Sequence, residues 1–296
     1  MKKHKICKIL LVILAIFLCV AFYELLGICV AYKKQPEVSN TTKKETKNGS
    51  WNECSENTER AVIIEKNPEA LLQRVRLIKN AKKEIILSTF AFQSDESGKL
   101  ILGALHDAAD RGVHIRLLVD GMESWIDMEG NPYFYGLSSH ENVEIKLYNK
   151  ANPLKPWKMM GRMHDKYLIA DGKRYILGGR NTYNYFLGDF PGHKNYDRDV
   201  LVVCDEPEKE NSVNQLLEYF ETIWEQEDSG YFHDNKKLAN RKSVKNAVLE
   251  LQNSYQKYFE ENKERICDTD YTDETFETEK ITLVSNPIHT GSKEPV

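Results

Sequence analysis

One short segment carries residue types suited to phosphodiester chemistry. It runs from Met163 to Asn181, reads MHDKYLIADGKRYILGGRN, and occurs once in the chain. The imidazole of His164 is nucleophilic when neutral, and its neutral form is abundant near neutral pH, so it could attack phosphorus and hold it as a phosphohistidine. Side chains two residues apart on a strand share a face, so Lys166 could bring its positive charge to the same phosphate.

The residues after this pair predict a β-hairpin. The apolar run 167–170 is followed by the turn-forming residues 171–173, and residues 174–177 then read as a returning strand. The glycines at 178–179 predict a tight turn or a close approach to a ligand. Asn181 follows with an amide that can donate a hydrogen bond to a phosphate oxygen. We therefore predict a hairpin that carries a phosphate site.

The segment resembles the phospholipase D superfamily, whose signature is His-x-Lys-x4-Asp with a trailing Gly-Gly-x-Asn. Within that superfamily it looks most like bacterial cardiolipin synthases, through the run GGRNTYNYF at 178–186 and the acidic strand start at 197–200. The likeness extends over residues 61–228. It implies two-step phosphatidyl transfer without a metal or a cofactor: one histidine attacks phosphorus, a second protonates the leaving alcohol, and an acceptor alcohol releases the phosphohistidine.

Carried over to this chain, the resemblance makes His164 the nucleophile or the acid. It makes Lys166, Gly179 and Asn181 the residues that bind the substrate phosphate. Preorganised positive charge and amide donors stabilise the charge that develops during phosphoryl transfer.

Three carboxylates lie in or after the same signature. Asp171 belongs to the catalytic set of the signature, but five residues after Lys166 it lies beyond the predicted strand, and we interpret it as a structural polar anchor. The resemblance makes Asp197 the candidate that hydrogen-bonds a catalytic imidazole and fixes its tautomer. Asp199 is the alternative for that role, or else a solvated carboxylate at a strand edge.

Only one histidine of the eight in the chain has a lysine two residues later. Superfamily enzymes build one active site from two copies of the motif, in tandem lobes or across a homodimer. We therefore expect a first lobe that needs a second phospholipase D-like lobe or a homodimer partner. Residues 281–296 read as a strand and a loop, and they resemble the start of a second, truncated lobe.

The charge distribution favours a lipid substrate over a nucleic acid. Residues 1–50 carry a net charge of +6 and residues 51–296 a net charge of −10. An acidic body argues against nucleic-acid binding, which depends on basic contacts to phosphates. From Lys146 to Asp199 the local balance is +6, which suits an anionic headgroup at a membrane surface.

The N-terminal region predicts a membrane anchor. After the basic residues 1–8, residues 9–32 are apolar apart from Glu24, and as a helix they would span about 36 Å, enough to cross a bilayer. We expect a single-pass anchor in the cell membrane. Lysines on both sides of the span leave its orientation open.

A short loop before the motif also has the composition of a membrane contact. The segment 152–160 reads NPLKPWKMM, in which Trp157 lies between Lys155 and Lys158. Amphipathic aromatic and lysine side chains suit the headgroup region, so these three residues are membrane-contact candidates. The alternative is an ordinary loop that packs its tryptophan into the core.

The rest of the chain predicts an α/β fold. Residues 33–60 read as a flexible linker, 61–228 as the first lobe, and 229–280 as a polar, partly helical inter-lobe connection. We predict a mixed sheet with helices on both faces, because helical and strand patterns alternate. The predicted helices are 68–81, 98–111 and 212–226, and the predicted strands outside the hairpin are 84–92, 113–119, 143–148 and 199–204.

Three function classes follow. The first is a membrane phosphatidyltransferase of cardiolipin-synthase type, with phosphatidylglycerol or phosphatidylethanolamine as the expected phospholipid. The second is a homodimeric phosphodiesterase or nuclease with one motif per chain. The third is an inactive, truncated lobe. The apolar span and the likeness at 178–186 favour the first.

Overall fold

The computed structural model describes residues 2–33, 59–158, 161–207, 211–233 and 236–285. Most of the predicted linker 33–60 and residues 286–296 of the predicted second-lobe start lie outside this part. The chain divides into two compact units. The smaller unit contains the N-terminal helix and residues 151–162, and the larger unit contains residues 51–150 and 163–285.

The N-terminal helix of the smaller unit, α1 (Lys2–Lys33), includes the predicted apolar span. Its stretch His4–Val30 has a mean hydropathy of 2.9 and none of its most apolar window is buried inside the protein. At 27 residues this stretch is long and apolar enough to cross a membrane. It is therefore a candidate membrane anchor.

The larger unit is an α/β domain. Its helices are α2 (Asn67–Asn80), α3 (Glu96–Asp110), α4 (Gly121–Asp127), α5 (Pro132–Ser138), α6 (Ser212–Trp224), α7 (Lys242–Glu261) and α8 (Lys263–Cys267). Its strands are β1 (Arg60–Ile64), β2 (Glu84–Thr89), β3 (His114–Asp120), β4 (Val143–Tyr148), β5 (Lys166–Ala170), β6 (Arg174–Gly178), β7 (Asp199–Val203), β8 (Ser229–Tyr231) and β9 (Phe276–Glu277).

These strands form one mixed sheet in the order β8-β4-β3-β2-β5-β6-β7-β1-β9. Strands β2, β3 and β4 are parallel, because helices connect them, and the other pairs are antiparallel. The antiparallel pairing of β5 with β2 brings the start of β5 beside the end of β2. This arrangement defines the edge of the sheet on which the site lies.

Helices cover both faces of the sheet, as predicted. On one face, the alternate residues Leu87, Leu168 and Leu201 belong to the main core together with residues of α2, α3 and α7. On the other face α6 packs, with the Tyr219 ring 6.4 Å from the Tyr167 ring. Both faces of β2 and β5 are therefore buried, which explains why these strands read as continuous apolar runs.

The predicted hairpin is present as β5 and β6. The two residues at its tip, Asp171 and Gly172, have φ values of 55° and 63°, which is the left-handed region that a two-residue Asp-Gly turn requires. The Asp171 carboxylate accepts hydrogen bonds from the backbone N–H groups of Lys82, Lys83 and Glu84, at 2.7 to 3.1 Å. Asp171 thus ties the hairpin tip to the start of β2.

The structure assigns residues 229–280 differently from the predicted inter-lobe connection. They supply β8 and β9 at the two ends of the sheet, and α7 buries Leu251 and Tyr255 in the core. These residues therefore belong to the lobe itself. In the predicted second-lobe start, the described residues 281–285 form no strand, and the Leu283 N–H donates to Gln215 of α6.

Replacing Asp171 by alanine should destabilise the domain. The change removes the acceptor for three backbone N–H groups. It also puts alanine, which has no polar side chain to form local hydrogen bonds, in the left-handed region of backbone conformation. We therefore expect a loss of about 1–3 kcal/mol in the free energy of unfolding. Denaturant unfolding of the detergent-solubilised chain measures this loss. Asp189→Ala, at an exposed position, is the matched control. An Asp171→Ala variant with the wild-type unfolding midpoint would contradict the assigned role.

Candidate functional site

The candidate site lies at one edge of the sheet, where four strands begin or end. The end of β2 faces the start of β5 through the pair Thr89 and Lys166. The end of β6 faces the start of β7 through the pair Gly178 and Asp199. Because β5 and β6 are also paired, the His-x-Lys segment and the Gly-Gly-x-Asn turn meet at this edge.

His164 lies just before β5 and its side chain is exposed. Its ring centroid is 4.6 Å from that of Phe90, with an angle of 63° between the planes, which is an edge-to-face contact. Phe90 directly follows β2. The contact limits the orientations of the imidazole while leaving it open to solvent, as a nucleophile needs.

Lys166 is buried, with 6% of its surface exposed. Its Nζ donates to the backbone carbonyl of His164 at 2.6 Å and lies 5.3 Å from the centroid of the Phe90 ring. Burial lowers the pKa of the Lys166 ammonium to about 8, and the negative charges of Asp165 and Asp197 oppose that shift. His164 and Lys166 therefore share Phe90 as a neighbour, and the charge of Lys166 is poorly solvated.

Asn181 is buried and fixed by the backbone that follows β2. Its Oδ1 accepts a hydrogen bond from the Ala91 N–H at 3.2 Å. The next residue, Thr182, also bonds this segment, through its N–H to the Ala91 carbonyl at 3.1 Å. With its oxygen engaged, Asn181 has its NH₂ group as the donor suited to a phosphate oxygen.

The two glycines of the turn are required by the close approach of two aspartates. A β-carbon at Gly178 would lie 2.1 Å from an Asp199 carboxylate oxygen, and one at Gly179 would lie 2.1 Å from an Asp197 carboxylate oxygen. The Gly179 N–H donates to the Arg198 carbonyl at 3.2 Å. The structure therefore gives Gly179 a steric role. We predicted that Gly179 would bind the substrate phosphate, but its N–H is hydrogen-bonded to the backbone.

Asp197 is partly exposed and acts on Lys166 through its charge. Its Oδ1 accepts from the Arg198 N–H at 2.8 Å. The hydrogen bond that Asp197 was expected to accept from an imidazole stays a prediction. What the geometry provides is a carboxylate packed on Gly179 that favours the charged form of Lys166.

Asp199 is neither an imidazole partner nor a solvated edge carboxylate. It is 1% exposed, and its Oδ2 lies 2.9 Å from Arg74 and 3.2 Å from Arg180. Arg180 also donates to the backbone carbonyls of Ile64 and Glu65. This buried ion cluster holds the Gly-Gly-x-Asn turn, in which Arg180 is the variable residue, against the start of β7.

Asp171 lies outside the site. It follows the last residue of β5, whereas Lys166 is the first, so the two are about 16 Å apart along the strand. Its carboxylate is bound to backbone N–H groups, so Asp171 anchors the end of β5 that is opposite to His164. This corrects its place in the predicted catalytic set.

Two neighbours of the motif, Phe90 and Asp165, were not among the residues predicted from the sequence. Phe90 contacts both His164 and Lys166. Asp165 accepts a hydrogen bond from the Tyr219 hydroxyl at 2.9 Å. Burial raises the pKa of Asp165, opposed by that hydrogen bond and by the charge of Lys166. Asp165 could have been identified from the sequence, because it lies between His164 and Lys166. No local pattern in the sequence indicates Phe90.

The membrane-contact candidates belong to the smaller unit. Trp157 and Lys158 lie in a short 3-10 helix, Pro156–Lys158, and Trp157 is 37% exposed. The alternative expectation, that the loop buries its tryptophan in the core, does not match this exposure. Lys155 is also exposed.

Curated relatives share part of this chain. An uncharacterized protein of Helicobacter pylori strain J99 is 30% identical over an alignment of 212 positions, which covers 67% of this chain and 39% of that protein. Cardiolipin synthase C of Escherichia coli K12 is 29% identical over an alignment of 171 positions, which covers 53% of this chain and 34% of that protein. The chain thus spans less than two fifths of the length of these relatives.

Among solved structures, phosphatidylserine synthase of Haemophilus influenzae is similar with a TM-score of 0.49 and 17% identity, over 75% of this chain and 48% of that one. A family described as "Cardiolipin synthase, PLD-like domain" matches residues 74–224. The matched region contains the hairpin, the Gly-Gly-x-Asn turn and the strands that hold them. Since the match extends over half of the 296 residues, the chain belongs to the cardiolipin synthase, phospholipase D-like domain family.

Proposed function

We propose that this chain is a membrane-anchored phosphatidyltransferase of cardiolipin-synthase type, which acts on phospholipid phosphodiesters through a phosphohistidine at His164. The observation that carries the proposal is the combination, at one sheet edge, of an exposed imidazole with a buried ammonium and a fixed amide. His164 contacts Phe90, Lys166 donates to the carbonyl of His164, and Asn181 is bound to Ala91. A phosphate diester would find a nucleophile and two donors at this edge.

In the first step, a nitrogen of His164 attacks phosphorus and the P–O bond to the leaving alcohol breaks. The departing oxygen takes a proton from a second imidazole. Lys166 and the NH₂ group of Asn181 bind the non-bridging oxygens, where negative charge develops. In the second step, the acceptor alcohol gives its proton to the second imidazole and attacks phosphorus, the P–N bond breaks, and His164 is free again.

The second imidazole has to come from another lobe. Only one His-x-Lys pair occurs in the 296 residues, and two histidines on opposite sides of phosphorus are needed for attack and for protonation. A second copy of this chain or a separate phospholipase D-like lobe would supply it. The reaction would then take place at an interface between two lobes.

Two properties of the chain support a lipid substrate. Helix α1 is a candidate membrane anchor. Residues 51–296 carry a net charge of −10, whereas residues 146–199 around the motif carry +6. An acidic body with a basic site disfavours extended polyanions and accommodates a single anionic headgroup.

Turnover of labelled phosphatidylglycerol in vesicles tests the proposal, with the homodimer as the expected form. We expect His164→Ala to abolish release of glycerol and formation of a diphosphatidyl product. If each site needs His164 from two chains, an equal mixture of wild type and His164→Ala that has re-equilibrated keeps about one quarter of the activity, because only homodimers of wild type are intact. Independent chains would keep about one half.

The control is His114→Ala, since His114 begins β3 at the opposite edge of the sheet. It should retain wild-type turnover. Full turnover by a strictly monomeric sample would contradict the shared site. Cleavage of a nucleic acid in place of phospholipid would favour the alternative function, a phosphodiesterase or nuclease. If no complementary lobe gives any turnover, the chain is better described as an inactive lobe.

The pH profile tests the role of Lys166. Its pKa of about 8 means that the ammonium loses its proton as the pH rises through that value, so kcat/KM should fall above about pH 8. The Asp197 carboxylate raises this pKa. Removing the carboxylate by Asp197→Asn should lower the pKa further and move the alkaline limb to lower pH.

Asp189→Asn is the control, because Asp189 is an exposed carboxylate eight residues before Asp197. It should leave the alkaline limb in place. If Asp197→Asn lowers kcat while the limb stays where it is in wild type, then Asp197 does not act through Lys166, and its role is the orientation of an imidazole.

A further inference from the structure

The loop of residues 151–158, called here the helix-contacting loop, packs against α1 within the smaller unit. The Tyr23 hydroxyl donates to the backbone carbonyl of Leu154 at 2.9 Å. A β-carbon at Gly27 would lie 2.4 Å from Cγ of Pro156 and 2.8 Å from its Cβ. The absence of a side chain at Gly27 therefore permits the proline ring to rest on the helix.

The contact covers the one turn of the span that carries a charge. Among the described residues 4–30 of the helix, Glu24, Gly27 and Ile28 are partly covered and the others are exposed. Residues three and four apart lie on one helix face, so these positions form a single patch that Tyr23 borders. Glu24 is the one charged residue between Ile9 and Val30. A carboxylate that faces hydrocarbon is unfavourable, and Glu24 lies in this partly covered patch.

The position of the contact along α1 corresponds to the boundary between headgroups and acyl chains. Tyr23 and Gly27 come seven and three residues before Val30, where the apolar stretch ends. At 1.5 Å per residue the contact lies about 5–10 Å inside the end of the span, which is the depth at which amphipathic segments bury their apolar side chains.

The outer surface of the loop is suited to the same depth. Leu154 is 77% exposed and Trp157 is 37% exposed. Lys155 and Lys158 alternate with them in sequence. Lysine stems lie along apolar surface while the ammonium groups reach the phosphates, and tryptophan favours the interface because its ring is apolar with one polar N–H.

We propose that the helix-contacting loop is a bilayer contact: it docks on the C-terminal part of α1, shields Glu24, and inserts Leu154 and Trp157 among the phospholipid headgroups and upper acyl chains. The partner is the surface of a phospholipid bilayer. The inference requires α1 to enter a bilayer and is independent of the reaction proposed for His164.

The first part of the test examines docking on the helix, in the full chain with its six cysteines replaced and reconstituted in phosphatidylcholine–phosphatidylglycerol vesicles. The pair Gly27→Cys and Pro156→Cys removes the proline ring that a side chain at position 27 would meet, so the two thiols can take its place and should form a disulfide on mild oxidation. The control pair, Leu18→Cys and Pro156→Cys, places the helix cysteine nine residues, or about 13 Å, further along the span. We expect a severalfold excess of disulfide in the first pair, and equal yields would overturn the docking.

The second part measures depth in the same vesicles. An environment-sensitive fluorophore on Leu154→Cys should be quenched by phospholipid brominated near the headgroup and shielded from aqueous iodide. The same label on Lys257→Cys, exposed on α7, should respond in the opposite way. A label at 154 that iodide quenches as strongly as the one at 257 would overturn the lipid contact.

Lipid turnover, measured with the wild-type chain in vesicles of the same composition, separates this inference from the proposed function. Disulfide formation and lipid quenching without turnover would leave the bilayer contact intact and count against the phosphatidyltransferase. Turnover without lipid quenching at position 154 would support the phosphatidyltransferase and count against the bilayer contact.

Discussion

The burial of one ammonium group is the constraint on which the site depends. Lys166 begins β5 and pairs with the last residue of β2, so its side chain enters the region where the main core reaches the sheet edge. There the group loses most of its water, and its pKa falls to about 8 although Asp165 and Asp197 attract it. A positive charge that protein carboxylates compensate only in part is stabilised by an anion. A phosphate diester at this edge would relieve the cost of burying Lys166.

The neighbouring residues bring the His164 imidazole and the Asn181 amide to the same end of the strands as Lys166. Phe90 directly follows β2 and packs against the His164 ring. The register of β2 and β5 therefore determines the positions of both the Lys166 ammonium and the His164 imidazole. The turn that carries Asn181 is held from the other side by Arg180, whose partner Asp199 also binds Arg74 of α2. Removing one member of such a buried cluster leaves an uncompensated charge, typically at a cost of about 3–5 kcal/mol. The donors are therefore preorganised by rigid elements.

Local patterns in the sequence were sufficient for the hairpin and for most of the central sheet. The strand at 143–148 and the turn at Asp171 and Gly172 are present as predicted, because apolar runs and Asp-Gly turns act within a few residues. The strand predicted at 84–92 ends at Thr89, after which the chain turns to meet Thr182. That contact joins residues 90 positions apart, and no short-range pattern encodes it.

The same limit explains what was missed at the site. Asp199 pairs with Arg74, which is 125 residues away, so a carboxylate that looks like a strand-edge residue is fully buried. Phe90 reads as one more apolar residue of a strand until the fold places His164 beside it. Helix α7 is different: its buried positions Val244, Ala247, Leu251, Tyr255 and Phe259 recur every three or four residues. That period predicts a helix packed on a core, yet the polar composition of 229–280 led to the interpretation as a connection.

The most direct test of the central claim is to trap the covalent intermediate. The full chain would be incubated in vesicles with phosphatidylglycerol, denatured in alkali, which preserves phosphohistidine, and digested for mass spectrometry. The account predicts a phosphatidyl or phosphoryl adduct on the peptide that contains His164, and its loss in the His164→Ala variant. Glycerol release with no adduct at His164, or with an adduct on another histidine of this chain, would contradict it.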